Sequence, residues 1–306
     1  MSRKRKAQPE DGASGQAPCD VVQHLAETLP AQCHCYKKRL KTCQRRFSEE
    51  AVHQSRTETR RLLGTIELLR AFIPGKRLKK TRRALKQHLD TFDELRDTQV
   101  QLDYMGRLKK SFPLTRKFRQ WLARRESRLT RQTRRAVKDI RTKRLARSIA
   151  CFEKDMKRLR RRIPPDVALR TALRAIDQAF ARVASLCKRV TPNDTGSIHR
   201  TRIAFKRFRY MIEALLPLLP VVTEERRRAM RGYQSMMGDI QDAEILLSAF
   251  DRFVECEQVD GRSARPLRAE LTRRRTWLIQ VYLRAARKLG LFWPAGKGGG
   301  SIAGGG

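Results

Sequence analysis

Long apolar runs are missing from this sequence of 306 residues. A helix that crosses a bilayer needs about 20 predominantly apolar residues, and no such stretch occurs. The N-terminal segment MSRKRKAQPEDG carries cations without the apolar segment that follows them in a secretory signal. We therefore expect a cytoplasmic protein that does not associate with a membrane.

The motifs of common catalytic and metal sites are also missing. There is no P-loop, no GxSxG motif and no cluster of carboxylates that would hold Mg²⁺. The seven cysteines are odd in number and scattered, unlike a disulfide framework. One group of soft ligands is close in sequence, but it has no CxxC pair and no second ligand pair follows: His24, Cys33, His34, Cys35 and Cys43. We expect reduced thiols, no metal, no cofactor and no intrinsic catalysis.

Acidic and aromatic residues are scarce. The sequence has 31 Asp and Glu against 70 Lys and Arg, which gives a formal net charge of +39, and aromatic residues make up 7%. Such a surplus of cations raises the local concentration of anions and disfavours the compact state through self-repulsion. We therefore expect a polyanionic partner, and the charge alone leaves nucleic acid, polyphosphate and anionic lipid open.

The alternating pattern of β-strands is absent, and apolar residues recur instead at helical spacing. The sequence therefore predicts an all-α protein. Proline and glycine at Pro74–Gly75, Pro113 and Pro164–Pro165 separate the periodic segments. Four helices are predicted on each side of residue 164, at 19–46, 48–73, 77–110, 114–162, 165–190, 197–219, 222–257 and 264–291.

One basic phrase occurs twice. Residues 52–64 read VHQSRTETRRLLG, and residues 198–210 read IHRTRIAFKRFRY. The phrase LRDTQVQL at 95–102 also matches IQDAEILL at 240–247 after a slip of one residue. This repetition predicts two halves of similar design. At a constant offset of 146 positions, His53, Arg56, Arg60, Arg61 and Glu67 recur as His199, Arg202, Lys206, Arg207 and Glu213.

The repeated residues form a cationic stripe on each helix, because positions i, i+3 and i+7 share one helix face. Arginine offers a planar fork to phosphate oxygens, lysine adds a point charge, and a histidine ring donates one or two hydrogen bonds. The stripes therefore predict a phosphate-bearing ligand. Two alternatives remain: solvated helix faces, and histidines that form hydrogen bonds at the helix ends.

At these residues the chain resembles the CHAD family, the conserved-histidine α-helical domains. The phrases AVHQSRTETRRLLGTIEL and IHRTRIAFKRFRYMIEAL are similar to the two signature helices of that family, and the resemblance covers about residues 18–291. It implies two pseudo-symmetric four-helix bundles around a central basic channel. It also implies that the channel binds inorganic polyphosphate and that the protein associates with polyphosphate granules.

The resemblance also implies which residues line the channel. The first copy departs from the family at Thr57, Glu58 and Leu63, so we expect the second copy to contribute more to binding. Arg134, Lys138 and Arg273 are predicted as further wall residues, because their basic helices follow the signature helices. The main set is His53, Arg56, Arg60, Arg61, His199, Arg202, Lys206, Arg207, Arg209 and Tyr210.

The resemblance and the punctuation together predict the domain boundaries. Residues 18–163 and 164–291 are expected to form the two halves of one CHAD domain. A disordered basic tail is predicted at 1–17, and a flexible Gly-rich tail at 292–306.

Nucleic-acid binding is the main alternative function, because clustered Lys and Arg with a pI near 11.2 are typical of such proteins. The low aromatic content and the absence of a recognition motif favour polyphosphate, although non-specific binding of nucleic acid stays open. His53 or His199 could in principle accept a phosphoryl group, but arginine-lined binding explains both residues without catalysis. The sequence leaves the oligomeric state open.

Overall fold

The described part of the chain is helical throughout. A computed structural model describes residues 20–108 and 112–293. These residues form ten α-helices and two short 3₁₀ helices, with no β-strand among them, which confirms the all-α prediction. The predicted tail at 1–17 lies outside the described residues.

The helices follow one another with short connections. No helix within the two described ranges is both long enough and apolar enough to cross a membrane. The 3₁₀ helices are Leu216–Leu218 and Arg287–Leu291. The α-helices are α1 Val21–Arg45, α2 Glu49–Leu69, α3 Lys76–Asp90, α4 Asp93–Arg107, α5 Thr115–Lys138, α6 Lys143–Arg160, α7 Pro165–Cys187, α8 Thr195–Ala214, α9 Glu224–Cys256 and α10 Gly261–Ala286.

The predicted number of eight helices is wrong, because two predicted helices in the first half are each broken. The predicted helix 77–110 is divided between Asp90 and Asp93. At this break Arg56 Nη1 donates to the carbonyl oxygen of Leu89 at 3.3 Å and to Asp93 Oδ1 at 3.0 Å. A contact from another helix thus satisfies the end of α3, which local periodicity does not reveal.

The second break divides the predicted helix 114–162 into α5 and α6. The side-chain amide of Gln44 donates to the carbonyl oxygens of Val137 and Ile140 at 3.0 and 3.1 Å. These bonds satisfy carbonyl groups at the end of α5. In the second half the corresponding stretches are the longer helices α9 and α10. Among the described residues the first half therefore has six α-helices and the second has four.

The buried side chains form two cores. The larger core joins α1, α2, α3, α6, α7 and α8 with the end of α5, the first part of α9 and the last part of α10. The smaller one joins α4 and α5 with the remaining parts of α9 and α10, and in it Phe118 packs against Phe250 and Phe253. The 33 residues of α9 therefore connect the two cores.

Helices α2 and α8, which carry the two basic phrases, cross closely at Gly64. A Cβ atom at this glycine would lie 2.6 Å from the carbonyl oxygen of Tyr210. Because residues 64 and 210 are related by the repeat offset of 146, the two phrases meet at equivalent positions. The wider pseudo-symmetry of two four-helix bundles stays a prediction.

The two ends of the second half lie at the start of α7 and at a pair of buried aromatic residues. The predicted boundary at residue 164 falls on the residue before α7. At the C-terminal end Phe292 and Trp293 are buried, and Trp293 Nε1 donates to Asp177 Oδ1 at 2.6 Å. The predicted flexible tail therefore begins too early, because these two aromatic side chains belong to the core; its residues 294–306 lie outside the described part of the chain.

Candidate functional site

A cationic cavity of about 610 Å³ lies beside the crossing of α2 and α8. Helices α3 and α7 and the start of α4 form its other walls. Apolar residues and Gly64 make up the rest of the lining. The charged and polar lining residues comprise nine cations, three carboxylates, a histidine and a tyrosine: Arg56, Arg60, Glu67, Arg82, Lys86, Asp90, Asp93, Arg182, His199, Arg200, Arg202, Lys206, Arg207 and Tyr210.

The close crossing brings cations from both basic phrases into one cavity. Burial lowers the pKa of Lys206 to about 7, and the neighbouring charges of Arg202, Arg60 and Arg56 lower it further in the same direction. Burial also lowers the pKa of Arg60. The cavity therefore disfavours its own positive charges, and an anion within it would offset that cost.

Two buried nitrogen atoms at the cavity have no protein partner. Nδ1 of His199 and Nε of Arg202 make no hydrogen bond to any described residue. A buried polar group without a partner costs about 1–3 kcal/mol, so a ligand with acceptor oxygens would remove this cost.

Glu67 is the most buried carboxylate of the cavity, with 7% of its surface exposed. It forms ion pairs with Arg70 Nη1 at 3.2 Å, with Arg207 Nε at 3.0 Å and with Arg82. Burial lowers the pKa of Arg207, while the charge of Glu67 opposes that shift. This carboxylate therefore holds cations from α3 and α8 at one end of the cavity.

A second group of acids lies close to Arg56 and Arg202. Burial raises the pKa of Asp97 to about 6, and the negative charges of Asp242 and Asp93 add to the effect. Burial also raises the pKa of Asp242, which Arg202 opposes. Asp97 lies in the phrase LRDTQVQL, and Asp242 lies in its counterpart IQDAEILL. Both copies of this phrase therefore lie near the cavity. No group of three or more His, Cys, Asp or Glu residues in the described ranges could hold a metal ion.

Three predicted residues of the basic phrases lie outside the cavity lining. His53 is exposed near the start of α2, and Arg61 is exposed and paired with Glu58 at 2.7 Å. Arg209 donates to Gln234 Oε1 at 2.9 Å and to Glu213, so protein groups occupy its fork. The seven that the fold brings together in the lining are Arg56, Arg60, His199, Arg202, Lys206, Arg207 and Tyr210.

The three further wall residues also lie apart from this cavity. Arg134 and Lys138 are exposed on α5. Arg273 lies in a different groove on α10, where its guanidinium donates to Glu270 at 2.6 and 3.0 Å. Their basic helices follow the signature helices in sequence, but they do not contribute to the same cavity.

Four cations of the lining were not predicted. Arg82 and Lys86 are four residues apart on α3, Arg182 lies on α7, and Arg200 lies within the second basic phrase. The spacing of Arg82 and Lys86 directly after the first signature helix was a usable signal, because both fall on one helix face. Arg182 had no comparable signal, since only the packing of α7 brings it to the cavity.

The comparisons with known proteins agree with this fold. The chain matches the CHAD domain family over residues 33–251. The CHAD domain from the plant Ricinus communis has 17% identity and a TM-score of 0.62, covering 95% of this chain and 94% of that one. PptA from Streptomyces chartreusis has 16% identity and a TM-score of 0.62, covering 87% and 99%. No curated protein matches the chain. Because the family match spans most of its length, the chain belongs to the CHAD domain family.

Proposed function

We propose that this protein binds inorganic polyphosphate in the cavity between α2, α3, α7 and α8. The observation that carries the proposal is the pair of buried nitrogens without a protein partner, on His199 and Arg202, in a cavity lined by nine cations. Phosphate oxygens would accept from both nitrogens. Membership of the CHAD family supports this ligand, because the sequence resemblance implies polyphosphate.

A linear phosphate chain suits the form of the site. Each phosphate brings negative charge and several acceptor oxygens. One polyphosphate chain can therefore engage the guanidinium groups of arginines from four helices. Release of the counterions that surround a polyanion adds to the affinity, as it does for nucleic-acid binders. Aromatic stacking or base recognition is not needed for such a ligand.

In this proposal the protein binds polyphosphate without cleaving it. Arg56, Arg60 and Lys206 position and neutralise phosphate groups, and His199 acts as a hydrogen-bond donor. Association with polyphosphate granules in the cytoplasm would follow from this binding. Incubation with polyphosphate and nucleotide is expected to give no chain shortening and no phosphorylated histidine; either product would contradict this part of the proposal.

The binding site is tested by replacing three cavity residues of α8 together, with His199→Ala, Arg202→Ala and Lys206→Ala. Each lost charge-assisted hydrogen bond costs about 1.5–3 kcal/mol, so the Kd for long-chain polyphosphate is expected to rise at least about 100-fold. Isothermal titration calorimetry at physiological salt measures the change. Thermal unfolding monitored by circular dichroism verifies that the variant is folded.

The matched control removes two positive charges outside the cavity. Arg131 and Arg135 are exposed on α5, four residues apart, as Arg202 and Lys206 are on α8. The double variant Arg131→Ala and Arg135→Ala is expected to change the Kd by less than about threefold, because exposed charges act only through a screened field. Equal losses in the two variants would mean that net charge, and not this cavity, binds the ligand.

A further inference from the structure

Glu67 lies at the junction of two spaces. It lines the main cavity and also a smaller recess of about 290 Å³, and the two share Arg182 and Arg207 as walls. Its carboxylate is buried and paired with Arg70, Arg82 and Arg207. A phosphate group is bound by the same arrangement, in which several guanidinium groups surround one anion. Glu67 therefore occupies, with its own carboxylate, a position suited to a phosphate.

The equivalent residue of the other copy is placed differently. Glu213 pairs with Arg209, four residues earlier on its own helix, and neither residue lines the cavity. Glu67 instead pairs with cations of α3 and α8, which are both cavity walls. A role in stabilising its own helix would need only a local partner such as the one that Glu213 has. The contacts of Glu67 place a negative charge among the cations of the site.

We propose that Glu67 raises the minimum number of phosphate contacts needed for binding and so keeps short phosphate anions out of the cavity, an inference that rests on polyphosphate being the ligand. A short anion that binds Arg82 and Arg207 must break the ion pairs of Glu67 and then lie beside a carboxylate. It has few other contacts to compensate for that cost. A long chain also contacts Arg56, Arg202 and Lys206, and these linked contacts are sufficient to displace Glu67.

The experiment compares tripolyphosphate with long-chain polyphosphate on wild type, Glu67→Gln and Glu213→Gln. Glutamine keeps the shape of the side chain and removes the charge. Glu67→Gln is expected to bind tripolyphosphate at least about 10-fold more tightly than wild type, and long chains by a similar factor, because both ligands displace the same carboxylate. Glu213→Gln removes the same charge at the equivalent repeat position and is expected to leave both Kd values within about twofold.

Each outcome bears on one of the two proposals. If folded Glu67→Gln binds tripolyphosphate no more tightly than wild type does, the inference about Glu67 is overturned while polyphosphate binding stands. If wild type does not bind long chains at all, the proposed function itself fails. Should Glu67→Gln not fold, Glu67→Asp takes its place, because it withdraws the carboxylate by one methylene group from Arg82 and Arg207. It is then expected to tighten tripolyphosphate binding in the same direction.

Discussion

Lys206 connects the binding of an anion to the pH. Its pKa is lowered to about 7 by burial and by Arg202, Arg60 and Arg56, so the free side chain is mostly neutral above that pH. A bound phosphate chain stabilises the ammonium form and raises the pKa again. We therefore expect binding near pH 8 to take up a proton, with affinity rising by up to about tenfold per unit as the pH falls from 8 towards 7. Calorimetry in two buffers of different ionisation enthalpy measures this uptake.

The variant Lys206→Met provides the control for the pH experiment. It keeps an unbranched apolar side chain and removes the titrating group, so the proton uptake near pH 8 should disappear. The window lies above the titration of Asp97, whose pKa is raised to about 6 by burial and by Asp242. An unchanged pH dependence in Lys206→Met would assign the uptake to another group.

The sequence predicted the cavity cations of α2 and most of those of α8, but none of those on α3 and α7. His199, Arg202, Lys206 and Arg207 follow from the repeat, because their spacing on one helix is visible without knowledge of the fold. Arg209 belongs to the same phrase but faces Glu213 and Gln234. Its role depends on the packing of α8 against α9, and one helix alone does not reveal it.

At the scale of the helices, the crossing of α2 and α8 depends on Gly64. A Cβ atom there would lie 2.6 Å from the carbonyl oxygen and 2.9 Å from Cβ of Tyr210, so the helices must separate to accept it. We expect Gly64→Ala to lower the free energy of unfolding by about 1–3 kcal/mol, as overpacking does elsewhere. Chemical denaturation measures the change.

Gly232 on α9 provides the matched control for Gly64. An added Cβ at this glycine meets no atom within 4 Å, so Gly232→Ala changes only the intrinsic helix propensity of this position. It is expected to raise the stability by about 0.5–1 kcal/mol. If Gly64→Ala were also stabilising, the close crossing would not exist in solution.

The helix breaks show where periodicity stops being informative. Residues 77–110 and 114–162 have continuous helical spacing, yet each stretch is interrupted in the fold. The interruptions are held by side chains from distant helices, Arg56 at one and Gln44 at the other. Such contacts are not local, so the sequence predicted the helical class but not these ends.

At the scale of the whole molecule, the net charge of +39 attracts every polyanion, and selectivity must come from shape. The cavity is lined by four helices and the start of α4, and a flexible single chain enters it more readily than a rigid duplex. We therefore expect duplex DNA at equal phosphate concentration to displace less than about a tenth of bound polyphosphate at physiological salt. A competition assay with labelled polyphosphate measures the displacement.

The triple α8 variant is the control for this competition. It retains most of the surface charge, so DNA should compete far better for whatever polyphosphate it still binds. Complete displacement from wild type by DNA would favour the alternative function, non-specific binding of nucleic acid.

The contact of Gly64 with Tyr210 also explains why the two copies benefit from being part of one chain. Two identical subunits meeting at this position would each present the same residue to the other. Two residues that both carry a Cβ could not approach as closely, because the nearest atoms at Gly64 are the backbone and the Cβ of Tyr210. A chain that carries both copies can place a glycine on one helix opposite a residue with a side chain on the other. Replacing residues 52–64 with the sequence of residues 198–210 would place a tyrosine at position 64 and remove the fit at the crossing, although a cation would remain at positions 56, 60 and 61.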